Sequence, residues 1–74
     1  MSWSMFDNLR TGQAVRLIRE IRHHDIALPI GTVGVISRIR PHTFRAVRTV
    51  MYVRFFIIPD ETVRVRMGSV EGVT

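Results

Sequence analysis

From Val47 to Ile58 the chain is dominated by β-branched and aromatic residues, and this stretch limits the fold more than any other. Side chains on a strand alternate between the two faces, so Met51, Val53, Phe55 and Ile57 share one side while Val50, Tyr52, Arg54, Phe56 and Ile58 share the other. Pro59-Asp60-Glu61 reads as a tight turn. Beyond it Val63, Val65 and Met67 alternate with Arg64 and Arg66, which makes the second arm of a hairpin.

The same period appears earlier in the chain. Val15 and Leu17 alternate with Arg16, giving a strand over 13–19 after the Arg10-Thr11-Gly12 break. From Arg19 to Ile30 the pattern dissolves into a long polar excursion that closes on Leu28-Pro29-Ile30-Gly31. Thr32 to Arg40 alternates again, with Val33, Val35, Ser37 and Ile39 expected inward and Gly34, Ile36, Arg38 and Arg40 outward. A glycine inside such a run marks a bulge or a close backbone approach, which is the expectation for Gly34. Pro41-His42-Thr43 forms a turn, Gly68-Ser69 ends the hairpin's second arm, and Val70 to Val73 is a last edge strand. Near the start, Trp3, Met5, Phe6 and Leu9 suit a short helical turn capped by Ser4, with Asp7 three residues on. The organisation expected is an N-terminal apolar extension over 1–10 and a five-stranded, all-β small barrel over 11–74. Its inward set is Val15, Leu17, Val33, Val35, Ile39, Met51, Val53, Phe55, Ile57, Val63, Val65 and Val70.

With 74 residues there is room for one domain, and a chain of that size buries only about 60% of its unfolded surface. It has no cysteine, so neither a disulfide nor a thiolate zinc site can reinforce it, and a reducing, cytoplasmic setting is expected. No run approaches the roughly 20 apolar residues that span a bilayer, and the start lacks the basic-then-apolar order of a signal peptide. The apolar content of 46% excludes a disordered tail. All the basic charge comes from arginine, 11 residues against 6 acidic ones, for a net charge of +5. A positive field of that kind attracts acidic proteins and nucleic acids alike.

The order of motifs resembles small bacterial SH3-like barrels. The resemblance runs through Gly12-Gln13-Ala14-Val15-Arg16-Leu17, Leu28-Pro29-Ile30-Gly31-Thr32-Val33-Gly34-Val35-Ile36, Tyr52-Val53-Arg54-Phe55 and Val63-Arg64-Val65, and covers about residues 11–73. In that pattern a glycine precedes the first strand, a proline and glycine close the long loop, and the next strand bends through a Gly-Thr-Val-Gly segment. Similar barrels include electron-transport accessory proteins such as the SH3-like subunit of photosystem I and the variable chain of ferredoxin-thioredoxin reductase. Others form part of the nitrile hydratase β-subunit, or are KOW-type barrels that contact RNA or protein. The resemblance implies the fold and leaves the activity open, because one barrel hosts many functions.

Arg38, Arg40, Arg54, Arg64 and Arg66 fall on outward positions of strands that should be neighbours, with Arg16 a sixth candidate and Tyr52 and Phe56 on the same side. Arginine interleaved with aromatics suits an acidic protein partner, and equally suits phosphates and bases. The function expected is a non-catalytic binding module or accessory subunit that docks an acidic protein through these seven residues. The alternatives are an RNA- or DNA-binding KOW-like barrel and a small non-catalytic subunit of a larger enzyme. Val50, Phe56 and Ile58 would form an apolar patch on the wet face, covered either by Trp3, Phe6 and Leu9 or by a second copy in a homodimer. No cofactor is expected. His23-His24-Asp25 is the one group of metal-binding residue types, yet neighbours on an extended loop point apart, so no metal ligand is assigned. The chain has no cysteine nucleophile, Gly-x-Ser-x-Gly motif or Walker-type loop, and Asp60 and Glu61 read as turn residues, so no catalytic residue is assigned.

Overall fold

The structure, a computed structural model, describes residues 9–41, 44 and 49–73. Seven short strands follow one another: β1 (Ala14–Leu17), β2 (Ile21–His23), β3 (Ile26–Leu28), β4 (Val33–Arg40), β5 (Val50–Phe55), β6 (Val63–Arg66) and β7 (Val70–Gly72). A single 3₁₀ turn, Met67–Ser69, separates the last two, and the described residues contain no α-helix. Five strands form one antiparallel sheet in the order β6-β5-β4-β1-β7, while β2 and β3 pair only with each other. The all-β expectation therefore holds. The sheet has two edges, β6 and β7, and no ladder between them closes it among the described residues. The 3₁₀ turn carries the chain from one edge to the other. It is tied at both ends, by the Met67 amide donating to the Thr49 carbonyl at 3.0 Å and the Ile18 amide donating to the Ser69 carbonyl at 2.9 Å.

One face of the sheet is the core, built from Val15, Leu17, Ile36, Met51, Val53, Phe55, Val63, Val65 and Val70, and Leu28 of β3 and Met67 of the 3₁₀ turn are buried in the same cluster. Eight of these are the inward residues read from alternation in β1, β5, β6 and β7. The reading of β4 needs correction. Val33 and Val35 are only half-buried, and the buried positions there are Gly34 and Ile36. The cause is a register shift: Ile36 faces Val53 and Arg38 faces Tyr52, so Ser37 is an extra residue with no partner of its own. Before this bulge the even-numbered residues point inward; after it Ile39 does, opposite Met51. A strict period of two, counted back from Ile39, assigns the first half of the strand to the wrong face.

Two further expectations are corrected. The long excursion is not irregular, because Ile21 to Leu28 folds into the β2–β3 hairpin, with Ile21 opposite Leu28 and His23 opposite Ile26. Its two-residue loop, His24-Asp25, starts with His24 at φ 56°, the positive φ that tight hairpin turns demand. At the other end β5 stops at Phe55. The Ile58 amide bonds back to the Phe55 carbonyl and the Glu61 amide to the Ile58 carbonyl, so the chain turns from Phe56 onward. Ile57, expected inside, is 63% exposed for that reason, whereas Ile58, expected outside, packs against the core.

Of the two readings of Gly34, a bulge or a close approach, the structure shows the close approach, and the bulge lies at Ser37. A Cβ there would lie 2.7 Å from the Arg54 carbonyl oxygen, 2.8 Å from Val53 Cγ1 and 2.9 Å from the Phe55 Cα. Gly31 acts differently. It sits at φ 93° and donates its amide to the Leu17 carbonyl, while the Thr32 hydroxyl donates to the Pro29 carbonyl, and the Pro29-to-Thr32 turn is thereby fixed against β1.

Candidate functional site

The outer face of the sheet is ordered by the same register. Across β4, β5 and β6, Arg38 faces Tyr52 and Tyr52 faces Arg64. One step along, Arg40 faces Val50 and Val50 faces Arg66. Neighbouring strands are about 4.8 Å apart, which sets the two arginines of each row roughly 10 Å apart with an aromatic or apolar residue between them. Arg54 continues the β5 series opposite Val35, and Val35 in turn faces Ala14 of β1. All five arginines are exposed, whereas Tyr52, Val50, Val35 and Val33 are half-buried. The result is an apolar strip along the middle of the face with guanidinium groups on its flanks.

The bulge at Ser37 makes this arrangement. Without the extra residue, Arg38 and Arg40 would share the inward face with Gly34 and Ile36, where a charge is far too costly to bury. One inserted residue therefore lets a single strand supply core side chains in its first half and two outward arginines in its second.

Charge is divided unevenly over the molecule. β4, β5 and β6 contain Arg38, Arg40, Arg54, Arg64 and Arg66 and no acidic residue. Since the chain has 11 basic and 6 acidic residues, the six arginines elsewhere match the six acids, and the whole formal net charge of +5 belongs to these three strands. On the β1–β7 side the face is neutralised, because Arg16, between Val33 and Glu71, forms an ion pair with Glu71. His23 and Glu61, on β2 and in the β5–β6 turn, form a hydrogen bond.

Of the seven partner-binding residues read from the sequence, the structure brings Arg38, Arg40, Tyr52, Arg54, Arg64 and Arg66 onto one face. Phe56 stands apart at its margin, 63% exposed in the turn after β5, with its amide bonded to the Val33 carbonyl. The apolar patch of Val50, Phe56 and Ile58 is not formed: Val50 lies in the strip, Phe56 in the turn and Ile58 against the core. Trp3 and Phe6 lie outside the described residues, while Leu9 packs on the core. Sequence reasoning missed Val33 and Val35 as surface residues, and no local signal distinguishes them from core valines once the bulge is unknown.

No family model, curated protein or solved structure matches the chain. Among the described residues no helix is long and apolar enough to cross a membrane.

Proposed function

We propose that this protein is a non-catalytic binding module, an accessory subunit of a larger assembly, that docks an acidic protein on the outer face of β4, β5 and β6. The observation that carries the reading is the register: it sets Arg38 and Arg64 on either side of Tyr52, and Arg40 and Arg66 on either side of Val50, with no carboxylate among them. Arginine forks pair with carboxylates in bidentate fashion, and tyrosine with arginine is the composition of interface hot spots. Half-buried Tyr52 and Val50 between them give the patch the apolar centre and charged border of a protein interface.

An SH3-like architecture is part of this proposal. It is supported by the strand order β6-β5-β4-β1-β7, by the β2–β3 hairpin between β1 and β4, and by the 3₁₀ turn that precedes β7. A cytoplasmic location fits the lack of cysteine.

A nucleic acid could engage the same arginines. The acidic protein is favoured because Tyr52 is half-buried between Arg38 and Arg64, whereas base stacking needs an open aromatic face. The test is fluorescence anisotropy with two labelled probes, an Asp/Glu-rich peptide bearing aliphatic residues and a single-stranded oligonucleotide, titrated with the wild type and with Arg38→Glu/Arg64→Glu. Binding of the peptide that the double variant abolishes supports the reading. Preference for the oligonucleotide, with log K falling linearly in log salt, would transfer the site to nucleic acid. No binding of either probe at low salt would end both.

A further inference from the structure

The tip of the β2–β3 hairpin and the β5–β6 turn meet at a cluster that the docking face does not use. His23 Nε2–H donates to Glu61 Oε1 at 2.8 Å, across a sequence separation of 38 residues. The His24 ring stands beside that of His23, with centroids 4.3 Å apart and planes tilted by 58°. Side chains of adjacent residues in extended backbone point apart, which is why sequence alone gives this pair no ligand role. The positive φ of His24 removes that objection: the chain reverses there, and both rings come to the same side. One potential ligand atom from each of His23, His24 and Glu61 lies within 4.8 Å of the others.

We infer that His23, His24 and Glu61 form a binding site for a divalent transition-metal ion, with zinc the ion that fits best. Two imidazoles and a carboxylate are borderline ligands that suit zinc, nickel, cobalt or copper and do not suit calcium or magnesium, which prefer all-oxygen shells. Ligands about 2.0–2.1 Å from a tetrahedral zinc lie roughly 3.3 Å from one another. The His23–Glu61 pair needs to open by about 0.5 Å to reach that spacing, and the exposed His24 ring needs only a side-chain rotation to close in. Three protein ligands leave one position open. Glu61 also borders a surface depression of about 230 Å³, lined by Ile57, Ile58, Pro59 and Asp60 as well, that has room for water. The bound ion joins two loops that otherwise share one hydrogen bond, so it adds a constraint to the native state that the unfolded chain lacks.

Zinc titration followed by calorimetry and by thermal melting, on the full chain, tests this. The wild type is expected to bind one zinc per chain and to melt at a higher temperature in its presence. Glu61→Ala removes the carboxylate, and His24→Asn removes an imidazole while keeping a residue that tolerates positive φ. Both positions are exposed and both variants should fold, which the amide NMR spectrum checks. Each is expected to weaken zinc binding at least about tenfold and to abolish the rise in melting temperature. Glu71→Gln, a change on β7 where the carboxylate pairs with Arg16, is expected to leave both unchanged. Zinc binding that survives Glu61→Ala and His24→Asn, or is lost in Glu71→Gln, would overturn the assignment, as would no binding at roughly millimolar zinc, the affinity of a negligible site.

Discussion

Replacing Gly34 by alanine tests how tightly the sheet is built. Gly34 faces the core opposite Phe55, and three atoms lie under 3.0 Å from the position of an added Cβ, two of them backbone atoms of β5. A methyl group cannot be accommodated by rotating a side chain, because the Arg54 carbonyl and the Phe55 Cα are held by the β4–β5 ladder. The strands must separate, at the overpacking cost of about 1–3 kcal/mol. Against this, alanine restricts the unfolded chain and returns about 0.4–1 kcal/mol. With three contacts under 3.0 Å the upper half of that overpacking range applies, so the net loss expected is about 1–2.6 kcal/mol, in a domain whose total stability by size is roughly 4–11 kcal/mol. For a chain of this length that lowers the melting temperature by about 4–21 °C. Gly68→Ala is the internal control, since nothing lies within 4 Å of its Cβ position and its φ is not positive. It should be neutral or stabilising by up to about 1 kcal/mol. Calorimetry or a circular-dichroism melt of both variants reads the difference directly. A Gly34→Ala protein as stable as the wild type would refute the close approach of β4 and β5, and with it the register on which the arginine rows depend.

Ile36→Ala should cost about 2–5 kcal/mol in urea unfolding, because Ile36 is 1% exposed, whereas Ile57→Ala should change stability by no more than about 0.5 kcal/mol. The reverse ranking would mean that the bulge at Ser37 is misplaced. Arg64→Gln should leave stability within about 0.5 kcal/mol while reducing affinity for the acidic peptide, since its guanidinium is exposed and has no ion pair among the described residues. Glu71→Gln should cost about 1 kcal/mol or less by chemical denaturation, as expected for an exposed arginine–carboxylate pair. A loss of several kcal/mol there would show that the β1–β7 edge relies on charge.

Much of the fold was legible because β1, β5 and β6 obey a strict two-residue period with valine, leucine, methionine or phenylalanine on the dry side. The β2–β3 hairpin was not, since its strands are three residues each and largely exposed, and too short for alternation to register. The turn after Phe55 was hidden for the opposite reason: Phe56, Ile57 and Ile58 continue a strand-like composition through a segment whose backbone has already reversed. The arginines were legible as a set because their positions relative to the buried valines fix their face. Their arrangement in rows was not, since which arginine lies opposite which residue depends on pairing between strands.

Local composition by itself determined that this chain is all-β, that its charge comes wholly from arginine against few acids, and that five of those arginines point away from the core. Tertiary structure decided the rest. Ser37 has no partner because β5 offers none, and that missing partner turns Val33 and Val35 to the surface and sends Ile36 inside. Likewise, His23 and Glu61 meet only because two loops distant in sequence are carried to the same place by the strands beneath them. Alternation is a property of one strand, whereas register and loop proximity are properties of pairs, and a pair is specified only once the whole sheet has assembled.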